Sequence, residues 1–158
     1  MRNIIIIICI FGAFLFGYFI NNTQEKNIVD KSSNVVISDA IVKYVIDGDT
    51  LVLNNNKKVR LIGIDTPEIE EDFYEEAKQE LKKLVDGKKV QLKKEVRETD
   101  KYNRLLRHIY IDGVWVNKKI LEDGLARTMA IPPDTLSASE LKQAEDFARK
   151  NKKGIWKK

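Results

Sequence analysis

The chain has one cysteine, Cys9, so no intramolecular disulfide can brace it, and stability must come from a core, a cation or a ligand. It has one histidine, His108, which falls inside the strand pattern of residues 105–111 without a nearby motif partner; a surface or packing role is expected of it rather than general-base chemistry. No internal repeat is present. Charge of one sign is not in large excess: 28 Lys and Arg face 24 Asp and Glu, a net charge of +4. That balance permits a polyanionic partner and equally describes an ordinary solvated surface. At 158 residues the chain is one domain's worth.

The only long apolar run is residues 4–20, preceded by Arg2. As a helix it would span about 26 Å, within reach of a bilayer core. Residues 1–20 are therefore expected to be a hydrophobic helix, either a signal peptide or a membrane anchor. No clear small-x-small cleavage site follows Ile20. Arg2 favours a cytoplasmic N-terminus, so the remainder is expected outside the membrane, anchored to it or secreted. Residues 21–34 are polar and aperiodic and are expected to form a linker to a folded unit at 35–158.

That unit is organised around residues 45–68, VIDGDTLVLNNNKKVRLIGIDTPE. Asp47 and Asp49 flank Gly48 at the end of one strand pattern, and Asp65 and Glu68 follow another. A hairpin through Asn54, Asn55 and Asn56 returns the carboxylates to one neighbourhood. Carboxylates at strand ends suit a calcium- or magnesium-like cation, and Arg60 between them offers a planar fork to phosphate oxygens. Strands are expected over 35–46, 51–53, 58–64, 90–96 and 105–111. A helix is expected to start at Thr66-Pro67-Glu68 and end at Gly87, burying Ala77, Leu81 and Leu84. A short helix over 118–123 would be capped by Asn117, and a last helix would open on Ser137 and Glu140 at capping-box spacing. Phe147 is expected on the apolar face of that last helix, and Trp115 and Trp156 in packing. Five strands with three helices fit an α+β oligonucleotide-binding barrel among other arrangements.

The segment 99–104, TDKYNR, supplies a second cation, Arg104, with Lys101 and Tyr102 beside it. Arg60 and Arg104 opposite Asp49, Asp65 and Glu68 could stabilise a phosphodiester transition state, with Glu68 taking a proton from water. The same residues also suit phosphate binding without cleavage, and DG and DKYN are good turn sequences in their own right. From the residues alone all three readings stand.

DGDT at 47–50, RLIGIDTPE at 60–68, TDKYNR at 99–104 and GLA at 124–126 together resemble the staphylococcal nuclease family, in motif order and interval, from about Ile41 to Trp156. The resemblance implies a five-stranded oligonucleotide-binding barrel with three helices. It implies calcium-dependent cleavage of DNA and RNA with little sequence preference, leaving 3′-phosphates. It implies Asp49, Asp65 and the Thr66 carbonyl as Ca2+ ligands, with Asp47 in support. Arg60 and Arg104 would hold the scissile phosphate, Glu68 would act on water, and Lys101 and Tyr102 would contact a terminal nucleotide phosphate. A monomer with no obligate protein partner is expected; a noncatalytic barrel tethered to the envelope is the alternative. Three departures stand out. Ala130 and Pro132 align with a family tyrosine pair, the loop after Glu68 is short, and Asn103 replaces a glycine.

Overall fold

The computed structural model describes residues 28–30 and 35–157. In chain order it runs β1 (Ile28–Asp30), β2 (Val35–Val45), β3 (Thr50–Leu53), β4 (Lys58–Leu61), β5 (Gly63–Asp65) and α1 (Tyr74–Val85). Then come β6 (Lys89–Lys93), β7 (Leu105–Ile111), β8 (Val114–Trp115), α2 (Val116–Glu122), β9 (Arg127–Met129), α3 (Ala138–Lys150) and a short 3₁₀ turn at Gly154–Trp156.

Five of the strands close a barrel in the order β2-β3-β4-β7-β6, with β6 returning to β2. The long β2 makes closure possible by pairing β6 through Ile37–Ile41 and β3 through Val42–Val45, with a register shift between Val42 and Tyr44. Only β4 and β7 run parallel. Alternation sets the faces: in β6, Val90 and Leu92 point inward while Lys89 and Gln91 face water. The core gathers Leu51, Val59, Leu61 and Ile109 from the barrel with Leu81, Ile120, Leu121 and Leu141 from the helices. This is the expected five-stranded barrel with three helices. The short β1 pairs the outer part of β2 and lies within the stretch expected to be a polar linker.

The N-terminal hydrophobic helix expected over residues 1–20 lies outside the described residues. No helix among the described residues is long and apolar enough to cross a membrane, so the described fold is the barrel and its three helices, and the membrane-anchored placement is not retained.

Several local expectations are corrected. The strand expected at 58–64 breaks at Ile62, because β4 pairs with β7 whereas β5 turns away to pair with β9. Gly63 makes that turn at φ 77°, and a Cβ there would lie 2.3 Å from Leu141 Cδ1. Helix α1 starts at Tyr74 rather than near Pro67, since Glu70 and Phe73 are left-handed at φ 75° and 71° and interrupt any earlier helix. Asn117 is no cap: it sits inside α2, fully buried. Ser137 stands at the α3 N-cap but makes no side-chain capping bond; its own N–H and that of Leu136 are accepted by Glu95. Phe147 is half exposed under Lys153 instead of packing inward.

Glu95 explains His108 as well. The strand expected through 96 ends at Lys93, which lets Glu95 fold inward. Its Oε1 lies 2.8 Å from His108 Nε2 and accepts Ser137 N–H at 3.1 Å, and its Oε2 accepts Leu136 N–H at 2.9 Å. His108 itself packs edge-on against Trp115, with ring centroids 5.1 Å apart. Burial pushes the His108 pKa down despite the Glu95 charge. For Glu95, burial pushes upward, but bonds from His108, Ser137 and Leu136 outweigh it and hold the carboxyl low. The stable pair is thus neutral imidazole donating to carboxylate. Both groups bind protons more readily when unfolded, so the pair's contribution to stability should fall as pH drops through the ordinary histidine range and again below the ordinary glutamate range. Asp49, its pKa raised by burial to about 6, acts in the opposite sense, so the check is the difference in urea midpoint between the chain and His108→Gln from about pH 8 to about pH 4; a difference flat across the upper range would contradict it.

Candidate active site

The DGDT turn is built around a close approach. Asp47 Oδ1 accepts the Asp49 N–H at 3.0 Å, and the Ile46 N–H reaches Thr50 O at 2.9 Å, so Asp47 shapes the turn that presents Asp49. At Gly48 any Cβ would come within 2.7 Å of Thr66 Oγ1 and 2.8 Å of Ala77 Cβ. Only glycine lets the turn press against both the end of β5 and helix α1.

Asp49 is consequently buried. Its Oδ2 accepts the Thr66 N–H at 3.1 Å and the Thr66 hydroxyl at 3.2 Å, and lies 2.9 Å from Arg60 Nη2. Its Oδ1 accepts the Thr50 hydroxyl at 3.1 Å. Burial, opposed by Arg60 but joined by the neighbouring Asp47, pushes the Asp49 pKa up to about 6. Arg60 faces Thr50 across the β3–β4 ladder, and its Nη1 donates to Leu61 O at 2.9 Å and Ile64 O at 2.8 Å. Its Nη2 also holds Asp65 Oδ1 at 2.9 Å, and the Asp65 side chain is half exposed.

Arg104 comes from the other side. Asp100 accepts the Tyr102 and Arg104 N–H groups on Oδ1, at 2.9 and 3.0 Å, and Arg104 Nε on Oδ2 at 2.7 Å. Burial raises the Asp100 pKa, and these bonds more than reverse it, leaving the carboxyl low. Asn103 closes the turn at φ 61°, a conformation asparagine adopts more readily than most residues, so its replacement of glycine is accommodated. Arg104 Nη1 reaches Thr50 Oγ1 at 3.5 Å, which links Asp49, Thr50 and Arg104 in one chain of contacts. Lys101 Nζ and the Arg104 guanidinium lie 4.9 and 5.4 Å from the Tyr102 ring centroid, and that ring is largely exposed.

Arg60, Arg104, Lys101 and Tyr102 line one cavity of about 290 Å³, together with apolar Leu106 and Met129. Glu68 is not among its lining residues. It is exposed on the turn after Pro67, where its N–H donates to Glu71 Oε2 at 2.8 Å. The structure therefore brings together Asp47, Asp49, Arg60, Asp65, Thr66 and Arg104, and leaves Glu68 outside that bonded set. Sequence reasoning read Asp100 only as turn chemistry and gave Thr50 no role of its own, whereas Asp100 orients Arg104 and Thr50 bonds Asp49.

The residues fit a hard cation. Asp49 and Asp65 offer carboxylate oxygens from adjoining segments, each 2.9 Å from Arg60 Nη2, and the Thr66 main chain meets Asp49 through its N–H, with the Thr66 carbonyl as the third oxygen of the expected set. Among the described residues no group of three or more His, Cys, Asp or Glu side chains is arranged to hold an ion. The expected set contains only two such side chains, its third oxygen being a main-chain carbonyl.

A closed five-stranded barrel covered by three helices defines an oligonucleotide-binding barrel. Residues 58–158 match the family model described as staphylococcal nuclease homologue. The thermonuclease of Staphylococcus intermedius is 33% identical over 138 residues, spanning 81% of this chain and 82% of that protein. Endonuclease YncB of Bacillus subtilis is 34% identical over 150 residues, 87% of this chain and 71% of that protein. The thermonuclease of Staphylococcus hyicus is 33% identical over 121 residues, 71% of this chain and 72% of that protein. The chain belongs to the staphylococcal nuclease family, and that membership supports a nuclease-type hydrolytic activity on nucleic acid.

Proposed function

We propose that this chain is a calcium-dependent phosphodiesterase that hydrolyses DNA and RNA with little sequence preference and leaves 3′-phosphate ends. The observation that carries the reading is the convergence of Arg60 and Arg104 on one cavity, beside the buried carboxylate of Asp49. Asp49, Asp65 and the Thr66 carbonyl would hold the ion. When bound, calcium supplies positive charge that polarises a phosphoryl oxygen. Arg60 and Arg104 hold the phosphate and take up the charge that accumulates on its oxygens as water attacks phosphorus. Glu68 accepts the proton of the attacking water, the phosphorus bond to the 5′ oxygen breaks, and that oxygen takes a proton from solvent. Lys101 and Tyr102 contact a neighbouring nucleotide phosphate. Absence of base-specific contacts in these roles accounts for the low sequence preference.

The exposed, unengaged position of Glu68 favours a second reading, a barrel that binds nucleic acid without cutting it. Glu68→Gln separates the two. On the nuclease reading it loses turnover by about 10²- to 10⁴-fold while still binding labelled DNA and RNA. Binding by the unmodified chain without any turnover in calcium would support the second reading.

A further inference from the structure

Arg97 lines the same cavity from a different wall. It lies in the irregular segment between β6 and β7, and Asp134 in the turn after β9 fixes it there. Asp134 Oδ1 accepts the Val96 and Arg97 N–H groups, each at 2.9 Å, and its Oδ2 accepts Arg97 Nε at 2.6 Å. Arg97 Nη2 also reaches Ile131 O at 3.3 Å. The Asp134 side chain is 2% exposed and that of Arg97 36%, so a buried anchor holds a guanidinium still open to the cleft. The wall around it is apolar, made by Leu106, Met129 and Ile131.

Arg60 and Arg104 stand where phosphate is expected, and a further flat cation, Arg97, lines the same cavity with apolar Leu106, Met129 and Ile131. A nucleobase has the matching character: a planar π face that attracts a guanidinium, and acceptors on its edge for N–H groups that Asp134 and Ile131 leave over. Ala130 and Pro132 put no aromatic ring on this turn; of the planar groups that line the cavity, Tyr102, Arg60, Arg104 and Arg97, it is Arg97 that is bonded to this turn, through Asp134 and Ile131.

We propose that Arg97 is the base-contacting residue of this cleft, stacking on the base next to the scissile phosphate; this rests on the nuclease reading above. The contact is to the face common to all bases, so it adds affinity without imposing a sequence.

The test uses two single-stranded oligonucleotides with one cleavable linkage, identical except that the adjacent nucleotide carries a base in one and is abasic in the other. The unmodified chain should favour the base-bearing strand by roughly tenfold in kcat/KM, chiefly through KM. Arg97→Gln should bring that ratio down to about twofold by loss on the base-bearing strand. Arg97→Lys keeps a cation against buried Asp134, guarding the measurement against loss of fold, and should behave like the glutamine variant because it lacks the plane. A ratio near one in the unmodified chain, a ratio that survives Arg97→Gln, or full recovery with lysine would overturn the proposal. The same ratio is read by equilibrium binding of both strands. A chain that binds with base dependence but never cleaves would sink the nuclease reading and leave that of Arg97 standing.

Discussion

Arg104→Ala should lower kcat for nucleic-acid cleavage by about 10²- to 10³-fold, the usual cost of deleting one preorganised donor to a developing anionic charge. The size follows from how tightly the guanidinium is set. Asp100 grips Nε at 2.7 Å while tying down the Tyr102 and Arg104 main chain, so little reorganisation is needed when phosphate arrives. Stability should change little, because the Arg104 side chain is partly exposed and Asp100 keeps two main-chain donors after the substitution. Arg104→Lys should recover only part of the loss, since an ammonium lacks the two-pronged geometry. Single-turnover rates with urea midpoints alongside check both halves of the expectation. A rate within about threefold of the unmodified chain would remove Arg104 from the chemistry.

The second large effect is structural. Asn117→Leu should destabilise the fold by about 3 kcal/mol, since it takes the side-chain partner from two buried main-chain groups, Ile109 N–H and Ile62 O, together. Asn117 Oδ1 accepts the Ile109 N–H at 3.0 Å, while Nδ2 donates to Ile62 O at 2.9 Å and approaches Arg107 O at 3.4 Å. One side chain thus bonds helix α2 to β7 and to the break between β4 and β5. That break sets the direction in which β5 leads to Asp65, which Arg60 holds at 2.9 Å, and on to Thr66. Loss of stability should therefore be accompanied by weaker calcium dependence at temperatures where the variant is still folded. Equilibrium urea unfolding reads the first effect, and a midpoint unchanged from that of the parent would contradict it.

The parts of the fold written as simple periodicity were legible from sequence. Residues 105–111 are rich in strand-forming apolar and aromatic residues and form β7 as expected, and the turn at Asp112-Gly113 leads into β8. Elements whose ends depend on tertiary partners were not legible. The strand from Lys58 looks continuous in sequence, yet it divides at Ile62 because its two halves have different partners, β7 and β9. Thr66-Pro67-Glu68 carries helix-start chemistry, but left-handed Glu70 and Phe73 postpone α1 to Tyr74, and neither residue type announces that conformation.

The candidate site divides in a similar way. Asp49, Arg60, Asp65 and Arg104 were visible because charged residues at strand ends and turns point to chemistry before any packing is known. Asp100 was read as turn chemistry, although it is what orients Arg104. Glu95 and Asp134 escaped notice because their partners, His108 and Arg97, lie 13 and 37 residues away in the chain. Asn117 was assigned to a helix cap on propensity, whereas burial gave its amide three main-chain groups to bond.

The most direct test of the account is cleavage of end-labelled single- and double-stranded DNA and RNA by the purified chain, first with calcium and then with chelator, with product ends identified. Saturable dependence on calcium, cleavage of both polymers and 3′-phosphate termini are the predicted result. Cleavage unaffected by chelator, or products bearing 5′-phosphates, would contradict it.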